Sequence, residues 1–293
     1  MYKILIPVNF TRSSKNAVRY AMRLAKNKKL KIILLHAFQT VPFNWDSSDP
    51  LLDEESRLLR QKSERKLDKI ASKILDKTNI ACETISYEGF AADAIIAHSV
   101  SLNPDLILIG TDILNAINHL VFGKITNKVI SKINCNILII PDDISKNPLK
   151  RIAFATYPNN DDSAELTYLT ELSKTYQSQI HIVHLLPSDT TERTINYDLK
   201  KHELDVNFTY SENDFIFHNL LNPNLVEGLG LCIVENKIDT LVISKHEPTV
   251  LQRLFTSSVI KKPTYYTDIP IMILKDSNKE VLESSVSLEE ISE

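Results

Sequence analysis

Two stretches of this chain share one layout. "KILIPV" at Lys3 and "RIAFAT" at Arg151 lie 151 - 3 = 148 residues apart, and His36 of "LLHAF" and His184 of "IVHLL" are separated by the same 148. Further on, Asp105 of "PDLILIG" matches Asp239 of "IDTLVIS", and Asn136 of "NILII" matches Pro270 of "PIMIL", both at an offset of 134. A constant offset that drops once means two copies of one unit, the second shorter by 148 - 134 = 14 residues in its middle. The loss falls between the second and fourth strands, where the first copy carries "TVPFNWDSSDPLLDEESRLL".

Within a copy, short β-branched runs alternate with longer amphipathic segments. "KILIPV", "KIILLHAF", "ACETISYE", "DLILIG" and "NILIIP" read as strands, and the segments between them as helices. Such alternation dictates parallel strands joined by crossover helices, hence an α/β class with two open five-stranded sheets. The expected organisation is a first domain at 1–141, a linker "DDISKNPLK" at 142–150, a second domain at 151–275 and an acidic tail at 276–293. Fifth strands at sheet edges leave backbone groups unpaired, so the two copies are expected to pair through them about a pseudo-twofold axis.

Composition excludes several function classes. Net charge is -3 with acids and bases interspersed, which gives no basic groove for nucleic acid. Cys82, Cys135 and Cys232 are odd in number and set in apolar surroundings, so buried free thiols in a reducing cytoplasm are expected. No apolar run approaches the ~20 residues of a membrane helix. Sought catalytic patterns are missing: there is no G-x-S-x-G, C-x-x-C or H-E-x-x-H, and His181 and His184 fall on opposite faces of a strand. No catalytic residue and no metal ligand is therefore assigned.

At "ILIPVNF", "LLHAF", "DLILIGT" and "LVFGKITNKVISKINCNILIIP" the chain resembles a tandem universal stress protein with a divergent second half. The resemblance implies the adenine nucleotide alpha hydrolase-like arrangement of five parallel strands with helices on both faces. It also implies one of two roles, since that family divides into ATP binders and non-binders. The binders carry G-x2-G-x9-G-[S/T] and an aspartate after the first strand. Here the glycine positions hold Gly110, Ile113 and Gly123, the hydroxyl position Lys124, and the aspartate position Asn9. The implied nucleotide contacts are Asn9, Gly110, Thr111, Ile113, Gly123, Lys124 and Thr126. The loop is degenerate: isoleucine is disfavoured at positive φ and places a bulky Cβ where phosphate oxygens would sit.

Each departure has a plainer reading beside it. Asn9 is expected to cap the following helix, Lys124 to be a solvated helix residue, and His36 to be a satisfied core residue. A Walker loop is rejected, because Asn118 and Ile125 stand where glycine and a hydroxyl would be needed. In the second copy the glycine positions hold Ser244, Glu247 and Thr256, and Tyr157 replaces the aspartate. Ser257 and Ser258 there read as helix caps, and Arg253 as a solvated residue. Two functions stay open: a cytoplasmic, non-enzymatic stress-response scaffold with no cofactor, or a sensor binding ATP or another adenine nucleotide in the first copy alone. Protein partners or a second tandem chain are the expected contacts, with no nucleic acid and no membrane.

Overall fold

A computed structural model describes residues 2–25, 29–40, 50–111, 123–141, 149–186, 192–210, 215–221, 225–246 and 269–275. The chain forms two compact units that meet in sequence between Pro148 and Leu149. Of the linker only the last residues, and of the acidic tail none, fall within the described residues.

The first unit runs β1 (Tyr2–Pro7), α1 (Arg12–Leu24), β2 (Leu30–Phe38), α2 (Pro50–Thr78), β3 (Cys82–Glu88), α3 (Ala91–Leu102), β4 (Leu106–Gly110), α4 (Lys124–Lys132) and β5 (Ile137–Ile140). Its strands are all parallel, in the order β3-β2-β1-β4-β5. Near-continuous apolar runs are what a sheet covered on both faces demands, and Ile4, Leu5, Ile6, Ile32, Ile33, Leu34, Ile107 and Leu108 are fully buried. From β1 to β3 the chain steps one way along the sheet, and from β3 through β4 to β5 it steps back. Right-handed crossovers then put α1 and α2 on one face and α3 and α4 on the other. The reversal falls between β1 and β4, and a crevice opens there beyond the carboxyl ends of the strands.

The second unit runs β6 (Arg151–Thr156), α5 (Ser163–Tyr176), β7 (Gln179–Leu185), α6 (Glu192–Thr209), β8 (Phe215–Leu220), α7 (Leu225–Glu235), β9 (Thr240–Ser244) and β10 (Ile271–Leu274). Its parallel order, β8-β7-β6-β9-β10, is that of the first unit. The shortening lies largely in the second helix of the copy, 18 residues in α6 against 29 in α2.

An atomic detail repeats with the sequence. Asp105, just before β4, accepts the backbone N–H of Lys3 at 2.6 Å, and Asp239, just before β9, accepts that of Arg151 at 2.9 Å. In each copy this carboxylate ties the start of the fourth strand to the start of the first, which sets their register.

Candidate functional site

A cavity of about 450 Å³ lies at the carboxyl ends of β1 and β4 in the first unit. Its walls are apolar, with Val8, Leu35, Ile95 and Ile109 among them, and its polar end is formed by Asn9, Thr111 and the first turn of α4. The size suits a ligand of tens of atoms, and the mix of apolar wall and few convergent polar groups is that of a small-molecule site.

The first turn of α4 supplies the strongest polar feature. Asn127 N–H is the first to close an intrahelical bond, to the Gly123 carbonyl at 3.2 Å. The amides of Lys124, Ile125 and Thr126 therefore have no partner within the helix, and no side chain caps them. Donors of this kind, with the partial positive charge of the helix start, are suited to an anion. Thr111 adds a second observation. It lines the cavity and is 6% exposed, yet its buried hydroxyl has no hydrogen-bond partner among the described residues. An orphan hydroxyl costs on the order of 1–3 kcal/mol, which a bound ligand would offset.

Gly110 and Gly123 are glycines for different reasons. A Cβ on Gly110 would lie 2.2 Å from the Ser13 carbonyl oxygen and 2.9 Å from the Ser14 nitrogen. Close approach of the start of α1 to β4 thus accounts for Gly110 without any ligand. A Cβ on Gly123 would meet nothing within 4 Å, and its φ of -58° suits any residue. Neither packing nor backbone strain requires a glycine at 123.

The expectation that Asn9 caps α1 is corrected. Thr11 is the cap, accepting from the Ser14 N–H at 3.5 Å. Asn9 stands upstream and holds the cap residue: its Oδ1 accepts the Thr11 hydroxyl at 2.6 Å and the Thr11 backbone N–H at 3.1 Å. A backbone N–H can only donate, so this fixes which way the amide faces. The Nδ2 hydrogens point away from the cap, and Asn9 lines the cavity.

His36 is likewise not a core residue; it is half-buried on the cavity wall. Its Nδ1–H donates to the Val8 carbonyl at 2.6 Å. Burial holds its pKa below the ordinary value, the Val8 bond works against this, and Lys66 adds a smaller lowering. The ring is neutral at pH 7 and carries its lone pair on Nε2. Lys124 is exposed at the cavity rim, and Thr126 is buried beside it. Six of the seven residues implied by the resemblance, Asn9, Gly110, Thr111, Gly123, Lys124 and Thr126, thus line one cavity. Ile113 lies outside the described residues, as do Arg253, Ser257 and Ser258 of the second copy. Ser13, Ser14, His36 and Ile95 were not legible as cavity residues. The place of His36 on β2 and of Ser13 and Ser14 at the start of α1 could have suggested three of them, while Ile95 comes from α3.

Residues 1–141 match the universal stress protein family over their whole extent. The first domain belongs to that family. A universal stress protein of Methanocaldococcus jannaschii is 23% identical over 138 residues, 47% of this chain and 81% of that protein. One from Synechocystis sp. is 28% identical over 142 residues, 48% of this chain and 87% of that protein. Among solved structures, a universal stress protein from Archaeoglobus fulgidus superposes with a TM-score of 0.70 at 18% identity, covering 93% of this chain and 98% of that one. At that identity the likeness is one of fold, and it spans both units. No helix among the described residues is long and apolar enough to cross a membrane.

The second unit differs from its universal stress protein partner at the corresponding strand ends. By the repeat offsets, Thr156 replaces Val8, Asp162 replaces Ser14, and Ser244 replaces Gly110. These side chains, with His184, His202, Glu165 and His246, form a connected polar network. His184 Nδ1–H donates to Asn219 Oδ1 at 3.0 Å, and its Nε2 is 2.9 Å from His202 Nδ1. Burial is the main cause that brings the His184 pKa down to about 4; the Asn219 bond opposes it, His202 adds to it, and Asp162 opposes it. With His184 neutral, His202 must be the donor. His202 Nε2 is 3.6 Å from Asp162 Oδ2, which also accepts the Thr156 hydroxyl at 2.7 Å. On the other side His246 Nδ1 meets Ser244 Oγ at 2.6 Å, and Ser244 donates to Glu165 Oε1 at 2.7 Å. Burial raises the Glu165 pKa, but its bonds from His246 and Ser244 outweigh that and keep it below the ordinary value. Asp162, Glu165, His184, His202 and Ser244 are all buried, so side chains occupy this end of the second sheet. Among the described residues no three metal-binding side chains are arranged to hold an ion.

Proposed function

We propose that this chain is a non-enzymatic, cytoplasmic binding protein of the stress response whose first domain holds an adenine nucleotide. The observation that carries the reading is the 450 Å³ cavity that ends on three α4 amides with no partner within the helix and on a Thr111 hydroxyl with no partner among the described residues. This supports the ligand-binding alternative over a scaffold with no cofactor. An apolar wall of Val8, Leu35 and Ile95 suits a base, and the α4 amides suit a phosphate. Asn9, Thr111, Gly123, Lys124 and Thr126 would hold the ligand, and His36 Nε2 would accept a hydrogen bond from it. The packed network supports a second domain without such a site. The three free thiols accord with a reducing compartment.

Denaturing the purified protein and separating what it releases tests the reading. An adenine nucleotide is expected, or, if purification strips it, saturable binding when AMP or ATP is added back. Neither being found would refute the proposal.

A further inference from the structure

Resting on that reading, the inference concerns what holds His36 against the ligand. We infer that Phe10 is a positioning residue for the nucleotide site: it clamps the His36 ring so that Nε2, the acceptor nitrogen, is presented to the ligand.

Phe10 lies in the turn from β1 to α1, between Asn9, which lines the cavity, and Thr11, which caps the helix. Its φ is 65°, in the left-handed region, where a bulky side chain is an outlier. Such a conformation persists only where surrounding contacts enforce it, and it gathers at ligand clamps. Two such contacts are present. The Phe10 ring centroid lies 4.3 Å from that of His36, with the planes tilted by 50°. Lys66 of α2 holds its ammonium 4.7 Å from the Phe10 centroid, within cation–π range. The turn therefore grips His36 twice, at Nδ1 through the Val8 carbonyl at 2.6 Å and at the ring through Phe10. A carbonyl only accepts, so Nδ1 carries the hydrogen and the neutral ring keeps its acceptor on Nε2. Val8 and His36 line the cavity and Phe10 does not, so Phe10 acts through His36.

The second copy supplies the control. At the offset of 148, His184 matches His36 and Pro158 matches Phe10. A proline ring locks φ at about −65°, so the left-handed turn cannot form there. His184 Nδ1 bonds the Asn219 side chain at 3.0 Å, where His36 bonds backbone, and its Nε2 meets His202 at 2.9 Å. Without the clamp, the same histidine is turned into the packed network.

Calorimetric titration of AMP into the full chain, with NMR titration of its histidines, tests this. Phe10→Gly keeps the left-handed backbone, which glycine adopts freely, and removes the ring. It should weaken AMP about fivefold to tenfold in the wild-type background and less than about twofold in His36→Ala, where nothing is left to position. Phe10→Tyr keeps the ring and should bind AMP within about twofold of wild type. Phe10→Asn, which also tolerates positive φ, gives the same comparison if the glycine variant does not fold. Burial is the main cause of the lowered His36 pKa, so its NMR midpoint should rise toward the ordinary histidine value in Phe10→Gly. Equal losses of affinity with and without His36, or full affinity in Phe10→Gly, would overturn the inference and leave the nucleotide reading standing. No binding of AMP or ATP by the wild-type chain would refute the nucleotide reading instead. The His36 midpoint then decides the clamp, which a rise in Phe10→Gly supports and an unchanged value overturns.

Discussion

The backbone at Ser13 and the α-carbon of Gly110 are so close that a Cβ at 110 would lie 2.2 Å from the Ser13 carbonyl oxygen. The obstacle is backbone at the start of a packed helix, so it cannot rotate out of the way. Gly110→Ala should therefore destabilise the first domain by about 2–3 kcal/mol. Gly123→Ala should change stability by less than about 1 kcal/mol, since the site is open and its φ is ordinary. Thermal denaturation of the two variants checks the contrast. If Gly123→Ala is neutral in stability yet weakens the nucleotide, the glycine serves the ligand.

Thr111 offers a trade between stability and binding. Replacing it with valine keeps the shape and removes a buried hydroxyl that has no partner. Thr111→Val should stabilise the ligand-free protein by about 1 kcal/mol and weaken nucleotide binding. Denaturation midpoints with and without nucleotide read both effects. A variant less stable without ligand would show that the hydroxyl is satisfied in solution.

The second domain should lose stability in mild acid. His181 and His184 are both held down to about 4, chiefly by burial. Below the unfolded histidine value of about 6.5 the unfolded chain takes up protons that the folded chain does not, so stability is full above that value and falls as pH drops toward 4. For fully buried His184 the loss at pH 5 is on the order of 2 kcal/mol. Thermal midpoints measured from pH 7.5 to 5 should fall accordingly, and His184→Gln should flatten the slope. An equal slope in that variant would place the acid sensitivity elsewhere.

Much of the fold was legible because burial on both faces imposes apolar runs, and Asp105 and Asp239 repeat at a register that only a duplicated sheet explains. The cavity was legible as far as residue types carry it: Gly110 and Gly123 mark the loop. Their separate reasons were not, because the approach of Ser13 depends on how α1 packs. The role of Asn9 was misjudged because capping by Thr11 is an equally good local solution two residues later. The His184–His202–Asp162 network was not legible at all. Its members come from β7, α6 and the start of α5, and nothing in their spacing links them.

The central claim is one nucleotide per chain, held in residues 1–141. Photolabelling the full chain with 8-azido-ATP, followed by peptide mapping, addresses it most directly. The account predicts one label per chain, confined to peptides from β1, β2, β4 or α4 and displaced by unlabelled ATP. Label in residues 151–275, or label that excess ATP does not displace, would contradict it.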